Sequence, residues 1–263
     1  MATRSRRIVE IDWLTLALGL GGLLCLYYLV PLVSLFLSVP LSDVIARMGN
    51  PPVVNAATNS LVSAAISATI ATVFGLPLAY WLARAETRWK SVVLAVVVLP
   101  LVLPPTVGGI VLLTVFGPGT PIGELAIAAG LPLTRSLAGV VLAQTFVASP
   151  FVVVTAKAAF ESVDRTLEHA SRSLGKGRWT TARRVTLPLA APGILAGVTL
   201  AFARAMGEFG ATMMVAYFPK TMPVQIWDAF SELGLDNAYP VAIVLVAIAV
   251  VALAILNTVA ANP

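Results

Sequence analysis

The sequence predicts an all-α integral membrane protein with six transmembrane helices and a structured polar loop between the fourth and fifth. Three observations carry this. Of 263 residues, 59% are hydrophobic and only 11% charged, against about 25% charged in soluble domains. Several apolar runs exceed the ~20 residues that cross a bilayer as helix. One long polar interval, LEHASRSLGKGRWTTARRVTLPLAAP (167–192), stands between two of those runs.

The first span is expected over 13–39, with Pro31 as a kink. MATRSRR before it imitates the start of a signal peptide. The run is too long for one and no small-residue cleavage site closes it, so a retained anchor is expected. A loop punctuated by Pro40, Gly49, Pro51 and Pro52 is expected to reach residue 55. The second span follows over 56–83. There Ser63, Ser67, Ala71, Gly75 and Ala79 recur every four residues, a face on which another helix can approach closely.

The third span, 91–116, contains LPLVLPPTVGG. Pro100, Pro104 and Pro105 cannot continue an ideal helix. Broken backbone at membrane depth is tolerated where it is buried in protein or lines a watery cavity, so either a packed kink or a path-lining break is expected. The segment 117–135 is Gly/Pro-punctuated, and its 122–129 stretch is expected to lie partly in the membrane interface. The fourth span is 136–160, kinked at Pro150. The fifth, 190–217, has Gly193, Gly197, Ala201 and Ala205 at four-residue intervals and then Arg204 and Glu208. A polar loop with Lys220, Asp228, Glu232 and Asp236 leads to the sixth, 238–259. Residues 1–12 are expected to be a cytoplasmic N-terminus and 13–263 one transmembrane domain, with no cytoplasmic domain after Pro263.

Within the polar interval, Leu167, Ala170, Leu174, Trp179 and Val185 recur at roughly helical spacing among Arg172, Lys176, Arg178, Arg183 and Arg184. The pattern predicts a short helix, a break at Gly175, a basic second helix and a Leu187-Pro188 stop. With the N-terminus inside, 13 of the 17 Lys and Arg residues fall on inner segments, Arg4, Arg6 and Arg7 among them. Arg47, Arg135 and Lys220 fall outside, and Arg204 lies in the membrane. This asymmetry predicts a multi-pass cell-membrane protein with both termini cytoplasmic.

Composition also excludes chemistries. One cysteine, Cys25, cannot form an internal disulfide, and with the single His169 it makes no metal site. The net charge of +5 does not argue for nucleic acid, because its placement is membrane-directed. Gly175-Lys176 lacks both the earlier glycine and the following hydroxyl of a phosphate loop, so this chain is expected to be no enzyme and to hold no cofactor. Arg204 and Glu208, four apart, are spaced to pair and so lessen the cost of charge in the membrane. They suit either a buried strut or a polar wall of a route.

The order Ala170, Leu174, Gly175, then Val185, Leu187 and Pro188 resembles the "EAA" loop of importer-type ABC permeases. In that family the loop forms a coupling helix that docks into a separate ATPase subunit. The bacterial pattern has Glu six residues before the glycine. Here that position is His169 with Glu168 just ahead, a Leu-Glu-His form similar to archaeal-type molybdate/tungstate permeases. The stretch ARAMGEFGATMMVAYFPKTMPVQIW extends the likeness, as do TNSLVSA, GLPLAYWLAR and LPLVLPPTVGG, so that it covers about 56–259.

The resemblance implies an ATP-driven importer of molybdate or tungstate, a sulfate/thiosulfate permease being the alternative. It implies a coupling loop over about 161–189, in which Glu168, His169, Ala170, Ser171, Leu174 and Gly175 engage the ATPase. ATP and Mg2+ would sit on that partner. It further implies a permease homodimer in membrane lipid and an extracytoplasmic oxyanion-binding protein. Elements of the third and fifth spans would close an outer gate at 106–115 and 212–217. Pro104, Pro105, Thr106, Arg204, Glu208 and Thr212 become the path or gate candidates, with Arg204 a weak attractor for the dianion. Outside this family, a loop that only binds anionic lipid would depend on total positive charge. A secondary transporter would show ionisable residues in several spans.

Overall fold

The computed structural model describes residues 13–261; the expectations for 1–12, including Arg4, Arg6 and Arg7, lie outside the described residues. The described chain is helical. Five helices are long and apolar enough to cross a membrane, and a bent pair makes a sixth.

Helix α1 (Trp13–Leu37) has no buried residue and lies at the rim. The expected loop up to residue 55 is mostly helix instead: α2 (Leu41–Met48) is followed by α3 (Pro51–Arg84). Pro51 and Pro52 open α3 because the first helical N–H groups have no partner, so a residue without one costs nothing there. Arg47 Nη2 donates to Asn237 Oδ1 at 2.7 Å, anchoring α2 on the last helix, α13 (Leu235–Ala261).

The third span is divided into α4 (Trp89–Val102) and α5 (Pro105–Phe116), at 118° to each other. Leu103 N–H closes α4 on Leu99 O at 3.1 Å, and Gly108 N–H opens α5 on Pro104 O at 3.1 Å. Pro104 and Pro105 have no N–H to carry the α4 ladder onward, though Pro104 O accepts the first bond of α5. A short α6 (Pro121–Ala128), capped by Thr120, covers most of the stretch expected at the interface.

The core is built on α3, α7 (Leu137–Ser162) and α10 (Leu187–Met206). Ser63, Ser67, Ala71, Gly75 and Ala79 are all buried on α3, as their spacing predicts. A Cβ on Gly75 would stand 3.2 Å from Val153 Cγ2, and one on Gly197 would overlap Thr155 Oγ1. Small residues on both sides thus set how closely the helices pack. Ser67 Oγ donates to Val141 O and Gln144 Oε1, each at 3.2 Å.

Two expectations about the fifth span change. The Leu-Pro stop is absent: α9 (Arg178–Thr181) runs through a π-helical turn, Ala182–Thr186, straight into α10. Leu187 N–H bonds to Ala182 O, five residues back. That wider turn leaves Pro188, without an N–H and with a bulky ring, room inside the helix. At its far end the span stops at Met206 instead of 217, and the chain restarts as α11 (Gly210–Val215). The polar loop before the last span contains α12 (Met222–Leu233), tied to α3 by Met222 N–H donating to Ser60 Oγ at 2.8 Å.

Candidate functional site

Two regions collect the candidate residues, one at each end of α10. The first is the polar loop. Its opening helix, α8 (Arg165–Ser173), starts where Asp164 accepts Thr166 N–H at 2.8 Å. That backbone hydrogen bond holds the Asp164 carboxyl below its ordinary range. Gly175 ends the element with φ +75°, the left-handed conformation its place predicts.

On α8 and the turn that ends it the candidates face opposite ways. His169, Ala170, Leu174 and Gly175 are exposed and Ser171 is half-buried. With Leu167 and Trp179, Leu174 forms an outward apolar surface; Leu174 is 80% and Trp179 76% exposed. Glu168 points inward and is 4% exposed. Its Oε1 accepts from Arg84 Nη2 at 2.7 Å, Arg84 Nε at 3.1 Å and Thr186 Oγ1 at 2.8 Å. Glu168, which the resemblance implies engages the ATPase, sits on the inner side of an amphipathic helix whose apolar side faces out. Ser171 Oγ and Thr181 Oγ1 share a hydrogen bond at 3.0 Å, joining α8 to α9. Among the described residues Lys176, Arg178, Arg183 and Arg184 enter no ion pair. Sequence reasoning missed Arg84 and Thr186. Arg84 is visible in the sequence only as a charge ending a span, and nothing local pairs it with a residue 84 positions away.

The second region is a seam between α5 and α11. Pro105 and Thr106 begin α5 directly against Gly210, where a Cβ would be 2.9 Å from Pro105 Cβ and 3.0 Å from Thr106 N. Half a helix further on, a Cβ at Gly109 would be 2.7 Å from Met214 Cβ and 2.9 Å from Ala211 O. These two glycines, Gly109 within the expected 106–115 gate stretch and Gly210 just outside the 212–217 one, let the backbones touch. Leu112, Val140, Ala143, Val147, Ala211 and Val215 form the core behind the seam.

Pro104, Pro105 and Thr106 are exposed, while Thr212 is fully buried. Arg204 and Glu208 form the ion pair their spacing permits. Glu208 is 1% exposed, and its Oε1 accepts Ala211 N–H at 2.8 Å, capping α11. Its Oε2 faces the Arg204 guanidinium as a charge contact without an aligned hydrogen bond. The Arg204 charge is thereby paired with a buried carboxylate while its side chain stays partly exposed. The structure brings Pro105, Thr106, Glu208 and Thr212 to one seam, far along α10 from Glu168.

Beside the seam lies a cavity of about 510 Å3 lined by Leu113, Pro118, Thr134, Arg135, Met213, Met214, Val215 and Tyr217. The Tyr217 hydroxyl donates to Asp228, which also pairs with Lys220. That hydrogen bond, then burial, pushes the Tyr217 phenol up to about 12.

Comparison with known proteins adds to this geometry. Residues 75–262 match the model of the binding-protein-dependent transport system inner membrane component. A "probable molybdenum ABC transporter permease" of Haloferax volcanii is 55% identical over 98% of this chain and 94% of its own length. A molybdate/tungstate transport system permease of Thermococcus kodakarensis is 38% identical over 88% of this chain and 89% of its own. Among solved structures, a chain of a bacterial alginate ABC transporter, crystallised with an alginate pentasaccharide-bound periplasmic protein, superposes with a TM-score of 0.75. It covers 95% of this chain and 94% of that chain at 17% identity, a likeness of fold alone.

Proposed function

The chain belongs to the binding-protein-dependent inner-membrane permeases, and within them to the molybdate/tungstate family; on that premise we propose that it carries molybdate or tungstate through the membrane of an ATP-driven importer. As a transport permease it leaves ATP hydrolysis to a separate subunit. The observation that carries the substrate is the 55% identity spanning nearly the whole of both chains. The geometry supports the rest of the reading.

An apolar surface of Leu167, Leu174 and Trp179, in a loop with Lys176, Arg178, Arg183 and Arg184, which enter no ion pair among the described residues, suits docking into a groove on an ATPase subunit. The exposed candidates His169, Ala170, Leu174 and Gly175 belong to that contact. Two permeases in membrane lipid, with both termini cytoplasmic, place two such surfaces over two ATPase subunits. A binding protein on the other face selects the oxyanion, so the permease needs a wettable route without a tight site. Arg204, neutralised by Glu208, fits that need, since a bare cation would hold a dianion. The α5–α11 seam, with Pro104, Pro105, Thr106 and Thr212, serves as the gate, opening when the motor tilts the spans between inward- and outward-open states.

The test is ATPase activity and uptake by the reconstituted complex, its binding protein loaded with molybdate, tungstate or sulfate. Molybdate and tungstate should stimulate both. Stimulation by sulfate alone would refute the substrate assignment.

A further inference from the structure

Glu168 is nearly as buried as a core residue although it lies in a surface loop. Its three hydrogen bonds come from two other elements. Arg84 is the last residue of α3, and Thr186 ends the π-helical turn that becomes α10. Arg84 Nη2 also reaches the backbone O of Val163 at 3.4 Å, a residue whose side chain belongs to the buried core. Moving α8 away from α3 would separate a desolvated charge pair, and moving it away from α10 would take the Thr186 hydroxyl from a buried carboxylate. On its exposed side α8 has a solvent-facing ion pair, Arg165 Nη1 with Glu86 Oε1 at 3.1 Å, which water screens.

We propose that Arg84, Glu168 and Thr186 are positioning residues that clamp α8 to the ends of α3 and α10, so that a push on α8 moves both spans as one body. Glu168 then acts inside the permease and does not touch the ATPase. The clamp deepens the permease reading, and rests on it for the identity of what pushes. From Thr186 the displaced body continues along α10 to Glu208, whose carboxylate caps α11 at the seam.

The experiment uses the full complex of permease, ATPase and binding protein in proteoliposomes. It compares Arg84→Met, Glu168→Gln, Thr186→Val and the double variant Arg84→Met/Glu168→Gln. Each should bind ATPase like wild type and keep basal hydrolysis. Transport per ATP should fall about tenfold or more for the two charge changes, the scale of a lost buried charged hydrogen bond. The double variant should be no worse than the weaker single, since both remove one interaction, and Arg84→Lys should recover part of the loss. Loss of ATPase binding by Glu168→Gln but not by Arg84→Met would show Glu168 touching the ATPase and overturn the clamp. So would wild-type transport per ATP in Arg84→Met. Thr186→Val, of nearly equal shape, keeps the test open should the charge variants misfold.

A second arm needs no oxyanion, so it separates failure of the clamp from failure of the substrate assignment. Spin labels at exposed Thr87 and Ser173, on a Cys25→Ala background, should keep one distance with and without ATP in wild type. The distribution should broaden in Arg84→Met; a wild-type distance that shifts with ATP would overturn the rigid body.

Discussion

Replacing Gly109 with Ala puts one methyl group into the α5–α11 seam. The new Cβ would stand 2.7 Å from Met214 Cβ, about 0.7 Å inside the 3.4 Å at which ordinary contact begins, and 2.9 Å from Ala211 O. Neither neighbour is the free end of a flexible side chain, so the two helices must part. Overpacking of this kind costs about 1–3 kcal/mol, against which alanine gains up to ~1 kcal/mol over glycine in helix propensity. Gly108→Ala separates the two effects. It makes the same gain on the same helix, but its Cβ meets only the Phe146 ring edge, at 3.1 Å, and a ring can turn. Gly109→Ala should therefore be less stable than Gly108→Ala by about 1–3 kcal/mol, a few degrees in the thermal unfolding of the detergent-solubilised permease. In proteoliposomes it should also leak oxyanion without ATP. Equal stability and equal tightness in the two variants would refute the seam.

Gly175→Val meets nothing within 4 Å of its Cβ, so its cost is that of the left-handed backbone alone, about 1–2 kcal/mol. It should weaken ATPase association while leaving insertion intact, and wild-type association with wild-type uptake would show that the loop does not couple. Arg204→Met strands the buried Glu208; breaking such a pair costs ~3–5 kcal/mol, less here because Arg204 is 28% exposed. Adding Glu208→Gln, which can still accept from Ala211 N–H, should restore much of the thermal stability, and no recovery would show that the pair is not a strut. Tyr217 has a folded pKa of about 12, above the ~10 of a free phenol. Its bond to Asp228 should stabilise the fold fully below pH ~10 and lose that effect as pH rises through about 12. Phenolate absorbance of Tyr217→Phe should lack the last ionisation step, and an unchanged titration would count against the bond.

The sequence alone determined which stretches enter the membrane, because apolar length and the scarcity of charge are local properties. Small residues every four positions predicted the buried faces of α3 and α10, since helical periodicity places them on one side whatever they meet. Gly175, Pro104 and Pro105 marked real breaks because backbone geometry constrains those residue types in any fold. Pro51, Pro52 and Pro188 misled for the same local reason: a proline does not say whether it starts a helix, sits in one through a π turn, or ends it.

What α8 turns inward was not written in the sequence. Its pattern fixed an apolar and a polar side, and the usual rule puts the apolar side in. Here Arg84 and Thr186, brought from the ends of two spans, offer a charged, hydrogen-bonding cavity, so Glu168 goes in and Leu167 and Leu174 stay out. In the same way Gly109 and Gly210 looked like ordinary membrane glycines until α5 and α11 met across them. Periodicity sees neighbours three and four residues away, whereas these contacts join residues 18 to 84 or more positions apart and exist only once the bundle has packed.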